Sequence, residues 1–215
     1  MTVVPFILGG TSATVVTSPG EYAAGSGRTG SRALIQNLDQ TQLEDLRDSN
    51  ASYDFRVGQS YKDHRYETVT GLEKEGTIPL LPGMAVVVES EEEVDFPVSL
   101  FGLIVPKVSL LRQGISNTTS KIDPGYRGRL YITIFNLGRK PVKLVRGQKI
   151  CTLVMFYVGS GVRGYEKGSQ SWSNNPATGL VRRSWSFLEA NTGGLSAFLI
   201  LLNIILILVT ASQCS

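Results

Sequence analysis

Lys107, Ser109, Arg112, Asp123 and Tyr126 are the residues whose types and spacing can do chemistry in this chain. Asp123 falls in the turn Ile122-Asp123-Pro124-Gly125-Tyr126-Arg127-Gly128, where a Pro-Gly pair sets the backbone and with it the direction of the carboxylate. A carboxylate held in that way can orient a hydroxyl group or accept a proton from water. Tyr126 offers a flat face to a ring, and Lys107, Ser109 and Arg112 suit phosphate oxygens. The same turn also fits a structural role in which Asp123 caps its own backbone, and residue chemistry alone leaves both readings open.

Several other chemistries lack their raw material. His64 is the only histidine, which removes histidine metal sites and Ser-His-Asp triads. Cys151 and Cys214 are too few for a disulfide framework, and no Cys-x-x-Cys pair is present for a zinc deaminase. No G-x-x-x-x-G-K-[ST] loop occurs. With 21 basic and 18 acidic side chains the net charge is +3, too balanced for a nucleic-acid footprint, so no nucleic-acid partner is expected. The acidic run Glu89 to Asp95 is expected to be a solvated hairpin end and not a metal site.

The elements that must hold these residues read mostly as strands. A chain of 215 residues can bury one sizeable core with appendages. Residues 1–32 read as a first strand over Thr11–Val16 and then a mobile Gly/Ser-rich loop, with no basic start to suggest a secretory signal. Ile35, Leu38, Leu43 and Leu46 recur at near-helical spacing, which predicts one short helix over Ile35–Arg47. Strands follow at Ser52–Gly58, Met84–Glu89, Leu100–Val105, Leu130–Phe135 and Lys149–Val158, the last two buried on both faces, with a Pro-Gly turn at Pro82-Gly83. Many short strands with regular turns predict an all-β barrel or jelly roll over residues 33–158. Residues 159–192 read as a flexible arm and a juxtamembrane segment carrying Arg182 and Arg183.

The end of the chain predicts a transmembrane helix over residues 193–212. Its apolar stretch Leu195–Ala211 has 17 residues, about 25 Å at helical rise, and flanking small residues extend it toward the ~30 Å hydrocarbon core. Arg182 and Arg183 precede it, so a single-pass anchor with the folded domain on the cytoplasmic side is expected.

In order along the chain, several motifs resemble the trimeric dUTPase and dCTP deaminase superfamily. They are Ser52-Tyr53-Asp54-Phe55-Arg56-Val57-Gly58, Leu81-Pro82-Gly83, Ser109-Leu110-Leu111-Arg112-Gln113-Gly114, the turn Ile122 to Gly128, and Asn136-Leu137-Gly138. The first two are closer to the deaminase branch. The resemblance covers about residues 50–158 and implies a distorted jelly-roll β-barrel, a homotrimer, and nucleotide sites between subunits. It implies that Asp123 is the acid beside the deoxyribose and the attacking water, and that Tyr126 stacks on the sugar. Lys107, Ser109 and Arg112 would bind the phosphates of a deoxynucleotide triphosphate, whose Mg²⁺ arrives on the nucleotide. The pattern departs from the family at Thr133, where the deaminases carry a glutamate for the base chemistry. It departs again at Lys107-Val108 and at Thr152, and the family's glycine-rich closing arm is not recognisable in Gly159 to Thr178, where Gly164-Tyr165-Glu166-Lys167-Gly168 is the candidate replacement. The resemblance, taken with the apolar run Leu195–Ala211, leads to two expectations: a membrane-tethered hydrolase releasing pyrophosphate from dUTP or dCTP, or a non-catalytic trimer that senses nucleotides at the membrane.

Overall fold

The computed structural model describes residues 2–4, 15–25, 27–39, 41–42, 52–64, 69–159 and 162–166. The chain divides into two compact units, Met1–Asn175 and Pro176–Ser215, and every described residue belongs to the first. The stretch Leu195–Ala211 lies outside the described residues, as do Thr11–Thr14 of the expected first strand and most of the expected arm. Among the described residues no helix is long and apolar enough to cross a membrane.

The architecture is mostly β. In chain order the strands are β1 (Thr2–Val4), β2 (Val15–Val16), β3 (Ala33–Gln36), β4 (Ser52–Asp63), β5 (Val69–Gly71), β6 (Thr77–Leu80) and β7 (Ala85–Asp95). They continue with β8 (Leu100–Pro106), β9 (Ile115–Asn117), β10 (Ser120–Ile122), β11 (Arg127–Asn136), β12 (Val142–Val145) and β13 (Lys149–Tyr157). Among the described residues, the short helices α1 (Pro19–Ala24) and α2 (Val108–Leu111) accompany them. The main sheet runs β10-β8-β13-β4-β7-β11-β9, and β6 pairs separately with β12. The two ends of that path, β9 and β10, are consecutive in the chain and joined by Thr118-Thr119, so one short link brings both sheet edges together. The expected barrel is met only as a mostly β architecture, since the hydrogen-bonded path stays open at these edges among the described residues.

Five expectations are corrected. The helix expected from Ile35 begins instead as β3, whose Ala33, Leu34 and Ile35 are all buried. This segment pairs with β2 on one side and with the end of β7 on the other (Ile35↔Val94), so tertiary pairing overrides the near-helical spacing. Only Thr41 and Gln42 are helical, and residues 43–47 lie outside the described residues. Helix instead occupies part of the expected loop at residues 17–32. Ser18 caps α1 by accepting the Glu21 N–H at 3.2 Å, Pro19 starts it, and Tyr22 is its buried residue.

The acidic run is the third. Glu89 to Asp95 does not form a hairpin end but the second half of β7, between β4 and β11, with Ser90 and Glu92 fully buried. Glu92 is accommodated because Arg56 Nε donates to it at 2.7 Å, the Arg56 N–H at 3.0 Å and Tyr53 Oη at 2.8 Å. Burial still pushes its carboxyl above the usual carboxylate range, against the opposing effect of those donors. β4 also runs past Gly58, where it was expected to stop. A Cβ there would lie 2.6 Å from the Ser90 carbonyl oxygen, so glycine lets β4 and β7 approach at their bulge. β11 and β13 are not buried on both faces as expected; β11 alternates strictly, turning Leu130, Ile132 and Ile134 into the core.

Candidate functional site

The acid turn is built from its own residues. Pro124 and Gly125 (φ +79°) occupy its central positions, and the Tyr126 N–H donates to the Asp123 carbonyl at 3.0 Å, which describes a type II turn. Because the main chain closes the turn, the Asp123 side chain is available for other contacts, and its carboxylate accepts from Lys121 Nζ at 2.7 Å. The turn is tied down from outside as well. The Phe96 N–H donates to the Tyr126 carbonyl at 2.9 Å and the Gly125 N–H to the Pro97 carbonyl at 3.3 Å.

Tyr126 is half-buried, with its hydroxyl donating to the Arg129 carbonyl at 2.6 Å. Burial first, then the neighbouring Tyr131, Tyr165 and Glu93, pushes its phenol up to about 12. Beside it lies a cavity of about 230 Å³. Thr118 from the β9–β10 link and Ser120 and Lys121 from β10 line one part of it, Ile104 and Ile132 line another, and Tyr126 and Tyr165 also border it. This mixture of apolar floor, hydroxyls, one cation and three tyrosines, Tyr131 being the third, suits a small polar ring compound.

The expected phosphate residues sit elsewhere. Lys107 caps the start of α2, with Ser109 on that helix and Arg112 at its end, both exposed. The strand register sets Ile122 opposite Gly102 on β8, and Lys107 lies five residues further along, a separation of about 17 Å along the strand. One chain therefore holds Asp123 and Tyr126 in one turn, with Tyr126 and the Asp123 partner Lys121 lining the cavity, and sets Lys107 away from that turn. Lys107 Nζ is bound instead by the Asp54 carboxylate, which also accepts from Thr152 Oγ1 at 2.6 Å. The carboxamide of Gln42 holds both the N–H and the carbonyl of Asp54 at 3.0 Å. Thr133 is on β11, but the cavity wall ends at Tyr131 and Ile132; the Thr133 carbonyl accepts the Thr118 N–H at 3.2 Å.

Among the described residues no group of three or more His, Cys, Asp or Glu side chains is placed to hold a metal ion.

A family model described as dCTP deaminase-like matches residues 28–158, more than half of the chain. The chain belongs to the dCTP deaminase-like family. It is 29% identical to the dCTP deaminase of Pyrococcus horikoshii over 127 residues, covering 57% of this chain and 78% of that protein. It is 32% identical to a dUMP-forming dCTP deaminase of Nanoarchaeum equitans, over 53% of this chain and 59% of the relative. Against the deoxyuridine 5′-triphosphate nucleotidohydrolase of Escherichia phage T5 it is 32% identical, over 35% of this chain and 53% of that protein. Of solved structures, the deoxycytidine triphosphate deaminase of Agrobacterium tumefaciens aligns with a TM-score of 0.48 at 19% identity, over 67% of this chain and 48% of that chain.

In this dCTP deaminase-like chain, sequence reasoning missed three residues that hold the expected site residues directly or through a partner, two at Lys107 and one at the acid turn. Asp54 was noted only as part of a motif, although the alternation of Tyr53 and Phe55 into the core signals that Asp54 faces the other way. Thr152 was noted only as a departure from the family, and its role as a donor to Asp54 depends on the direct pairing of β13 with β4 (Thr152↔Asp54). Arg28 carried no signal, because its contacts are with residues about a hundred positions away.

Proposed function

We propose that this protein binds a deoxypyrimidine triphosphate and hydrolyses dUTP or dCTP to the monophosphate and pyrophosphate, working as a homotrimer with its sites between copies. The observation that carries the reading is the preassembled Asp123–Tyr126 turn, whose Tyr126 borders a ring-sized cavity, with Lys107 set about 17 Å along the strand from that turn in the same chain. A turn and a phosphate segment that stand apart within one chain can meet across two copies. Tyr126 packs against the sugar, and the Asp123 carboxylate, oriented by Lys121, positions a water on the α-phosphorus. The water oxygen forms the new P–O bond as the α–β bridge breaks; pyrophosphate leaves, and the released proton passes through the carboxylate to solvent. Mg²⁺ carried by the substrate phosphates would supply charge neutralisation there. Thr133 has no carboxylate to relay a proton to a base, which favours hydrolysis over deamination.

The test is Mg²⁺-dependent pyrophosphate release from dUTP and dCTP by the full chain, with Asp123→Asn alongside. Loss of a positioned acid or base lowers the rate by about 10²–10⁴-fold. Equal rates for both proteins, or no release by either, would defeat the hydrolase reading. One observation favours the second reading, a nucleotide sensor without turnover: Asp54 already neutralises Lys107. Nucleotide binding by calorimetry without pyrophosphate release would select it. We further propose that Leu195–Ala211 anchors the chain in a membrane with the folded domain on the cytoplasmic side. Recovery of the full chain in the supernatant after alkaline carbonate extraction would oppose that.

A further inference from the structure

Three segments distant in sequence converge on one guanidinium. Arg28 lies in a 3-10 turn, Gly27–Thr29, and its own carbonyl accepts the Val98 N–H at 2.9 Å, which fixes its backbone against the loop after β7. Its Nη2 donates to the Gly125 carbonyl of the acid turn at 2.7 Å and reaches the Tyr165 carbonyl of the arm at 3.4 Å. The described arm, residues 162–166, has few other attachments. The Tyr165 N–H donates to the Pro124 carbonyl at 2.7 Å, and the Tyr165 ring lies 5.4 Å from the Tyr126 ring at 56°. The arm's internal ion pair, Arg163–Glu166, is exposed at both ends and holds it weakly. The fit is close: a Cβ on Gly164 would lie 2.9 Å from Val98 Cγ1, and one on Gly125 would lie 3.1 Å from Arg28 Nη2 and from the Tyr165 nitrogen.

We infer that Arg28 is a positioning residue that fastens the arm to the acid turn, so that the Tyr165 wall of the cavity is set from the N-terminal segment. Two carbonyl oxygens from different segments face the same cation. Without it the two carbonyls lose the donor they share, and among the described residues the arm keeps one main-chain hydrogen bond, one ring contact and the packing of Gly164 on Val98. A segment with so little buried apolar surface belongs to the part of a fold that opens most readily, so loss of one charge-assisted bond is felt there first. The effect on arm order stands on these contacts alone; the effect on ligand affinity rests on the nucleotide reading above.

Hydrogen exchange of the full chain without nucleotide tests the clamp at the Tyr165 amide. Arg28→Ala is expected to speed that exchange about ten-fold or more, the size of one lost charge-assisted hydrogen bond, while amides of β8 and β11 keep their rates. Arg28→Lys, which keeps the charge without the planar fork, is expected to restore part of the protection. Gly164→Ala lifts the arm without touching Arg28 and should give the same fast exchange. Wild-type exchange at Tyr165 in Arg28→Ala, with fast exchange in Gly164→Ala, overturns the inference. Should Arg28→Ala not fold, Arg28→Lys decides: intermediate protection supports the clamp and full protection overturns it. Calorimetry with dUTP and dCTP is read separately. A wild-type protein that binds neither removes the ligand reading and leaves the exchange result to judge the clamp. If turnover is present, the Arg28→Ala defect should fall on KM rather than kcat, since Arg28 acts through the cavity wall.

Discussion

The acid turn and the Lys107 segment are both called site residues by their motifs, yet the fold treats them in opposite ways. The turn is complete within one chain. Its backbone is set by Pro124 and Gly125, its outer face is tied to Phe96 and Pro97, and Arg28 and Tyr165 close over it. The Lys107 segment is complete in composition but not in geometry: its lysine is neutralised by Asp54, while Ser109 and Arg112 are exposed. A positioning group needs rigidity before the ligand arrives, whereas a phosphate-binding cation needs access and charge. In one half the structure has already paired its polar groups for the ligand-free state, and in the other half it has arranged them around a space.

That contrast can be broken most severely at Gly125. Its φ of +79° and its crowded surroundings make Gly125→Ala strained, at a cost of about 1–2 kcal/mol for the left-handed backbone alone. Denaturant unfolding should show that loss, and ligand binding at the cavity should weaken with it. An unchanged midpoint would mean that the turn is less constrained than its contacts state. Gly147 (φ +81°), whose Cβ would meet nothing, serves as the matched control away from the site.

A smaller effect is expected at the other half. If Asp54 competes with phosphate for Lys107, Asp54→Asn should tighten triphosphate or pyrophosphate binding by about two- to five-fold, as for a partly exposed ion pair. Tighter binding should disappear in the Asp54→Asn, Lys107→Ala double variant. Weaker binding in Asp54→Asn alone would instead make Asp54 a support for the lysine, and the two halves would then be alike.

The smallest effect is a slope. Tyr126 holds its proton up to about 12 in the folded chain, above the ordinary phenol value of 10.0, so the unfolded chain releases that proton first. Its contribution to stability is full below pH 10 and declines as pH rises toward about 12. Tyr22 and Tyr53, also raised by burial, act in the same direction. Tyr126→Phe should therefore reduce, and not abolish, the alkaline fall in thermal stability. An identical pH profile would place Tyr126 in a wetter setting than its burial and its contact with Tyr165 indicate.

Much of the strand content was legible because alternation and β-branched runs report local burial, as at Leu100–Val105 and Lys149–Val158. The errors share a physical origin. Ile35 looked helical because spacing was read along one segment, while its conformation is decided by the ladder to Val94. Glu92 looked solvated because it is charged, while Arg56 and Tyr53 across the β4–β7 pair supply the donors that let it be buried. Ser18 and Pro19 did signal a helix start within the Gly/Ser-rich stretch, and composition masked them.

By itself the sequence determined the features that neighbours in the chain can enforce. The Pro-Gly type II turn carrying Asp123, the order of the strands and the family motifs are of that kind, because φ/ψ preference and side-chain periodicity act over a few residues. Tertiary structure alone decided which charges meet. Lys107 and Asp54 are 53 residues apart, and Arg28 and Gly125 are 97 apart. Those pairs follow from strand register and from close glycine contacts between distant segments, and electrostatic pairing at hydrogen-bond range exists only once the register is set.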